Sequence, residues 1–391
     1  MTPPRVRLGI VGLGRAFMLM LPTLLAHPRV QVVAGTDPRD GARARFAAEL
    51  GRAPASVQAL CEDPGVDAVY IASPHEHHAE QAVVAARAGK HVLVEKPMAL
   101  TLETCAAMIE AARAAGVRLI VGHSHSFDAP YVRARAHIEQ GGVGRVRMIH
   151  ALNCTDFIYR PRRPEELDHA RGGGVVLNQG AHQVDVVRLL AGGRASSVRA
   201  HTAAWDPARP VEGAYSALLH FADGAFASLT YSGYAHFDSD ELMGWIGETG
   251  ERKDAAAYGR ARAALRQTDQ GAELALKTSR TYGPAGVPAA STAGHHHFGM
   301  VLACCDHADL RPLPNGVMIY GDERTWLDPL APPAVPRAEV VDELCDAVLL
   351  GRAPIHTGEW AMATLEVCLA IRESARRGAE IELRHQIGLR D

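Results

Sequence analysis

At 391 residues the chain is too long for one typical core, and two domains are the expectation. Its 41 basic and 44 acidic residues leave a formal charge of −3, which removes the usual reasons to expect nucleic acid or a membrane surface as partner and leaves a small molecule. Seven cysteines, none at zinc-finger spacing and with only Cys304-Cys305 adjacent, predict reduced thiols and a cytoplasmic protein.

In chain order, the first third alternates short apolar runs with amphipathic stretches. "RVRLGIVGL", "VQVVAGTD", "VDAVYIASP", "HVLVEKP" and "VRLIVGHS" read as strands, and "ARARFAAELG", "HAEQAVVAARAG" and "LETCAAMIEAARAAG" as the helices between them. That rhythm predicts βαβ units around a parallel sheet over residues 1–123. The apolar run from Arg15 to Pro28 has the look of a secretory signal, but Pro22 interrupts it and no A-x-A pattern follows. No stretch is long and apolar enough to span a bilayer as a helix.

"GIVGLGRAF" places Gly9, Gly12 and Gly14 after a strand and before a helix that opens with Arg15 and Ala16. Such a turn lets the backbone approach a pyrophosphate, whose charge sits at the helix N-terminus. Phe17 stands where the third fingerprint glycine is expected, so the helix should pack less closely on its strand there. Asp37, at the end of the next strand, is placed to accept from a ribose 2′-hydroxyl and favours NAD, whereas Arg39 beside it could accommodate the 2′-phosphate of NADP.

Residues 124–391 have a different rhythm: "VRMIHALN", "YSALLHFA", "GAFASLTYSG" and "GVMIYGD" alternate as strands of a mostly antiparallel sheet. Gly283–Gly299, rich in Pro, Gly, Ala and Ser, reads as a long mobile loop. Its His295-His296-His297 has no partner cluster at ligand spacing and consecutive side chains diverge, so no metal is expected. "EVCLAIRESARRG" closes the chain as a helix ending in basic residues and Gly378.

The segment "SPHEHHAEQAVVAARAGKHVLVEKPMAL" carries Pro74, His78, Gly89-Lys90-His91-Val92 and Glu95-Lys96-Pro97, and Gly172-Gly173-Gly174 is followed by Gly180, His182 and Asp185. With Gly12 and Gly14, these resemble the glucose-fructose oxidoreductase and inositol dehydrogenase (Gfo/Idh/MocA) family over nearly the whole chain. The resemblance implies an N-terminal Rossmann domain with a doubly wound parallel sheet, and a C-terminal α/β domain whose large open sheet serves as a homo-oligomer interface. It brings Ser73, Pro74, His78, Glu95 and Lys96 into the cofactor site and makes Lys96 and His182 the catalytic pair.

Oxidation of a secondary alcohol by a nicotinamide needs a base for the hydroxyl proton and a cation for the developing alkoxide. Imidazole, with an unperturbed pKa of ~6.5, suits His182 to the first role and Lys96 to the second. A desolvated Lys96 as proton acceptor is the alternative division.

Arg160, Arg162 and Arg163 crowd into "DFIYRPRRPEELD", and guanidinium forks fit carboxylates. This segment, with "GHSHSFDAP" and "GGGVVLNQGAHQVD", resembles the branch that contains phthalate dihydrodiol dehydrogenases. That branch implies a cyclic cis-diol bearing carboxylates, with His123, Asn178 and Asp185 also at the substrate. A polyol, inositol or amino-sugar dehydrogenase and an inactive dinucleotide-binding sensor are the alternatives. At helical spacing Asn178, His182 and Asp185 would share one face. The family usually has Asp where this chain has Asn178, and an amide there spares an anionic substrate a like charge.

Overall fold

The computed structural model describes residues 4–122, 124–257, 259–283 and 293–389. The chain divides into two compact units. The first combines Met1–His123 with Ala275–Ala290 and Val335–Met362, and the second combines Ser124–Leu274 with Ser291–Ala334 and Ala363–Asp391. A division into 1–123 and 124–391 therefore leaves out two later segments that return to the first unit.

In the first unit the apolar runs form β1 (Val6–Val11), β2 (Val30–Thr36), β3 (Ala68–Ile71), β4 (His91–Val94) and β5 (Leu119–Val121), alternating with α1 (Arg15–Ala26), α2 (Asp40–Glu49), α3 (Val57–Cys61), α4 (His78–Arg87) and α5 (Leu102–Ala114). The strands are all parallel in the order β2-β1-β3-β4-β5. A single parallel bridge from Ala34 to Arg52 stands outside β2, where a doubly wound sheet has its next strand. Helices cover both faces, so the strands need no alternation: β3 is buried at every position and β1 exposes only Arg7. Ser56 and Thr101 begin α3 and α5 by accepting the N–H of Ala59 (3.1 Å) and Thr104 (3.2 Å). The returning helix Ala338–Leu349 packs on β1 and is tied by Arg29 to Asp342 and Asp346 at 2.5 Å each.

The second unit is built on nine strands. After α6 (Ala129–Glu139) come β6 (Val146–Cys154), α7 (Ala181–Ala191), β7 (Ala195–Ala203), β8 (Ala214–Phe221) and β9 (Phe226–Ser232). The short α8 (Arg260–Arg266) and α9 (Gln270–Thr278) precede β10 (Met300–Cys305), β11 (Ala308–Leu313), β12 (Gly316–Gly321) and β13 (Thr325–Pro329). The returning helix is α10, and α11 (Gly358–Arg377) leads to β14 (Ile381–Glu382). The order is β13-β12-β11-β10-β6-β9-β8-β7-β14, with only β6 and β9 parallel. Helices α6 and α7 cover one face. On the other, register aligns Phe226, Met148, Cys304, Asp309 and Tyr320 in a row across five strands, with Phe226 and Tyr320 exposed. Among the described residues no helix is long and apolar enough to cross a membrane.

Candidate active site

The turn after β1 is shaped by contact with the turn after β3. Gly12 has φ +89°, and a Cβ there would lie 2.6 Å from the Ser73 nitrogen, so a side chain would have to displace backbone. Gly14 caps α1, and its nearest neighbour, the Ala72 oxygen, would be 3.6 Å from a Cβ. The helix opens with exposed Arg15 and half-buried Ala16 and has no acidic residue in its first turn, a setting that fits a pyrophosphate. Phe17 lies elsewhere than on that surface. Its fully buried ring packs on Phe46 (6.3 Å between centroids) and Tyr282 (5.5 Å), so it can meet a ligand only through its backbone.

Asp37 follows β2 and is buried. Its Oδ2 accepts from the Leu13 N–H at 2.8 Å, and its Oδ1 accepts from the Arg39 N–H (2.9 Å) and Nε (2.8 Å). Burial pushes this carboxyl up, but the Arg39 side chain and the two backbone N–H groups outweigh it and hold it below the usual range. The carboxylate therefore carries a charge that suits a ribose hydroxyl and opposes a phosphate. Arg39 is engaged: it also donates to the Leu13 carbonyl at 2.8 Å and to Thr281 Oγ1 at 2.7 Å. Tyr282 joins the same turn, donating its N–H to Leu13 (3.1 Å) and its hydroxyl to Glu49 (2.7 Å). Sequence reading missed Thr281 and Tyr282, because nothing local marks a segment more than two hundred residues away as part of this turn.

Ser73, Pro74, Glu95 and Lys96 stand beyond the carboxyl ends of β3 and β4, with Ser73 against the Gly12 turn. Ser73 donates to Gln81 Oε1 at 2.6 Å. His78 is buried behind them, with Nδ1 3.0 Å from the Pro97 carbonyl and Nε2 3.0 Å from that of Ser73. Burial pushes its imidazole down to about 4 against the two carbonyls, which favour the charged ring, so the neutral ring donates to one of the two turns and lies packed against the other. Glu95 accepts a 2.6 Å bond from the Tyr70 hydroxyl, and burial raises its carboxyl despite that bond and the nearby Lys96 charge. Lys96 is half-buried and joined to Pro97 by a cis peptide.

In the second unit, the glycine run is fixed by Glu212. Gly174 has φ +97°, and a Cβ there would lie 2.3 Å from the Glu212 carboxylate. Glu212 accepts the Val176 N–H at 3.3 Å through its side chain and the Val175 N–H at 2.9 Å through its carbonyl. From there Val176–Gly180 forms a π-helical turn that runs into α7. His182 and Asp185 keep their three-residue interval within α7, while Asn178 lies in the wider turn before it, and each of the three has its own partners. Asn178 donates its amide to the carbonyls of Gly172 (3.1 Å) and Gly174 (2.7 Å). Asp185 accepts the hydroxyls of Ser126 and, at 2.9 Å, Thr364. His182 is buried against the rings of His125 (4.7 Å, edge to face) and Phe298 (5.1 Å). His123 lies outside the described residues.

The three arginines part company. Arg162 is buried, lies 3.5 Å over the Phe157 ring and donates to the Phe157 carbonyl at 2.7 Å; burial lowers its pKa to about 10, against the opposing charge of Glu166. Arg163 pairs with Glu166 at 3.8 Å. Arg160 meets Asp156 at 2.9 Å and Glu248 at 3.8 Å; desolvation opposes its charge, but Glu248 and Asp156 outweigh it. The charges of Glu248, Arg160 and Arg162 all bear on Tyr231, which stacks on Phe298 at 6.0 Å, and Phe298 in turn touches His182. Of the two arginines, Arg160 keeps about a third of its side chain exposed, whereas Arg162 is enclosed.

The stretch expected to be a mobile loop contains buried residues: His295 reaches the Ala331 carbonyl at 2.8 Å, His296 lies 6.5 Å from the His125 ring, and His297 reaches the Ile246 carbonyl at 2.8 Å. Residues 284–292 lie outside the described residues. Among those described, no three His, Cys, Asp or Glu side chains are grouped to hold a metal.

Residues 6–123 match the oxidoreductase family with an NAD-binding Rossmann fold, and residues 131–251 match the GFO/IDH/MocA C-terminal domain. A Comamonas testosteroni protein named 1-carboxy-3-chloro-3,4-dihydroxycyclohexa-1,5-diene dehydrogenase is 48% identical over 95% of both chains. The scyllo-inositol 2-dehydrogenase (NAD(+)) of Bacillus subtilis is 32% identical over 50% of this chain and 57% of its own. A crystal structure from Bordetella bronchiseptica RB50, 44% identical, superimposes with a TM-score of 0.92 over 97% of this chain and 100% of that one. Levoglucosan dehydrogenase, crystallised with NADH and levoglucosan, shares the fold at 19% identity, with a TM-score of 0.72 over 97% of this chain and 99% of its own. The chain belongs to the Gfo/Idh/MocA family of oxidoreductases, and its first domain is that family's NAD-binding Rossmann domain.

Proposed function

We propose that the protein is an NAD-dependent dehydrogenase of a carboxylate-bearing cyclic cis-diol. The observation that carries this reading is the end-to-end likeness to the Comamonas enzyme, whose name describes a carboxylated dihydroxycyclohexadiene. Bound NAD would supply the hydride acceptor. Gly12, Gly14, Arg15 and Ala16 would hold its pyrophosphate, with Asp37 at a ribose hydroxyl and Ser73, Pro74 and Glu95 lining the rest of the cofactor site. His182 takes the hydroxyl proton as the carbinol C–H bond breaks, while the Lys96 ammonium stabilises the alkoxide and the carbonyl that replaces it. For an unsubstituted cis-diol, loss of the neighbouring ring proton and return of a proton to that carbonyl oxygen give the catechol. The sum is one hydride and one proton released, and aromatisation pulls the oxidation forward.

Arg160, partly exposed where Arg162 is enclosed, is the residue proposed to receive the substrate carboxylate, whereas Arg162 and Arg163 hold the Phe157–Glu166 turn. Asp156 and Glu248 already face Arg160, and this favours a neutral polyol as the second reading. The test is NADH formation with a panel of carboxylated cyclic diols and neutral polyols. A carboxylated diol should be preferred, and Arg160→Ala should raise its KM at least tenfold. Preference for a polyol, unaffected by Arg160→Ala, would assign the second reading.

A homo-oligomer formed through the uncovered sheet face around Phe226 and Tyr320, and a reducing cytoplasmic setting for the seven free cysteines, complete the proposal.

A further inference from the structure

His125 and Asp128 were not among the residues expected from sequence, yet they form a tight buried pair beside the proposed base. His125 Nδ1 lies 2.6 Å from Asp128 Oδ2, and both side chains are less than a tenth exposed. The His125 ring meets His182 edge to face at 4.7 Å between centroids and an interplanar angle of 69°, and Phe298 lies against both rings, 5.2 Å from His125. The turn that carries His125 is anchored from below, because its Ser126 hydroxyl is donated to Asp185 on the helix that carries His182. The same four residues, Ser126, Asp128, His125 and Asp185, therefore fix one imidazole relative to the other.

We propose that His125, held by Asp128, is a positioning residue for His182: it sets the plane of the His182 ring and, as an imidazolium paired with Asp128, keeps His182 neutral and ready to accept a proton. A buried carboxylate favours a positive charge on the imidazole that is hydrogen-bonded to it, and that charge opposes a second one on a ring in contact. The other titratable and charged groups around these rings are Asp185 behind Ser126 and Arg188 on α7, Tyr131 with Arg133, Arg135, His137 and Glu139 on α6, His296 facing His125 at 6.5 Å, and Glu248, whose charge reaches Tyr131 together with that of Asp128. The inference rests on the reading of His182 as the base, but not on which alcohol is the substrate.

The test uses full-length protein labelled at histidine, with the His182 signal assigned by its loss in His182→Gln, so that the protonation midpoint of His182 is read by NMR without substrate. His125→Asn keeps a donor towards Asp128 and removes the competing charge, so the His182 midpoint should rise by about one pH unit or more. Asp128→Asn should raise it less, by leaving His125 neutral. With any alcohol that turns over, the acid limb of kcat/KM should move up in the same order while the KM for NAD stays unchanged. An unchanged His182 midpoint in His125→Asn overturns the proposal. If that variant fails to fold by circular dichroism, an unchanged midpoint in Asp128→Asn overturns it. Shifted midpoints in a protein that oxidises no alcohol would leave the electrostatic relation intact and reject the dehydrogenase reading of the site.

Discussion

The side-chain amide of Asn178 donates a 2.7 Å hydrogen bond to the carbonyl oxygen of Gly174, and the same nitrogen reaches the carbonyl of Gly172. Only a donor suits that place. The amide that stands where the family resemblance implies Asp thus has a structural task, pinning the glycine run to the turn that delivers His182. Asn178→Asp would set a carboxylate against two carbonyl oxygens and leave them without their donor, at about 1–3 kcal/mol. The expected result is a lower melting temperature by several degrees and a lower kcat, with NAD affinity unchanged. Calorimetry and cofactor titration check both. A variant as stable and as active as wild type would mean that Asn178 serves no such purpose.

At Gly12 the left-handed backbone and the 2.6 Å approach of Ser73 leave no room for a methyl group, whereas at Gly14 the nearest atom is at ordinary contact distance. Gly12→Ala is therefore expected to weaken NAD binding at least tenfold, and Gly14→Ala distinctly less. Isothermal titration with NAD measures the difference. Equal losses would place the steric constraint elsewhere in the turn.

His78 links stability to acidity. Its folded-state pKa is lowered to about 4 from 6.5, so between those values the unfolded chain binds the extra proton and stability falls as pH falls. The group contributes its full share above pH ~6.5 and loses about 3 kcal/mol by pH ~4, to order of magnitude. His78→Asn removes the titration. Its denaturant midpoint should be lower than wild type at pH 7 and should decline less between pH 7 and pH 5. A parallel decline in both proteins would show that another group dominates the acid limb.

What the sequence made legible was local. The unbroken apolar runs of β3 and β4 announced a sheet covered on both faces, and the alternation of β8 announced one covered on a single face. Asp37 was readable because its distance from Gly12 is set by one helix and one strand. What stayed hidden was the choice of partner. Arg162 reads as a fork for a substrate carboxylate, and only the fold shows Phe157 and Glu166 enclosing it. His295, His296 and His297 sit in loop-like composition, yet each is buried and finds a different partner on another segment. The π-helical turn at Val176–Gly180 interrupts the regular helical spacing between Asn178 and His182, and no spacing rule anticipates that insertion.

In the proposed reaction Lys96 and His182 carry out the alcohol oxidation, and turnover depends on them far more than NAD affinity does. Steady-state NADH production by wild type, Lys96→Ala and His182→Ala, measured beside NAD dissociation constants on the same preparations, tests it most directly. In each variant kcat should fall at least a hundredfold while NAD affinity stays within about threefold, since acid–base and oxyanion groups typically contribute factors of this size. Turnover near the wild-type rate in either variant would contradict it.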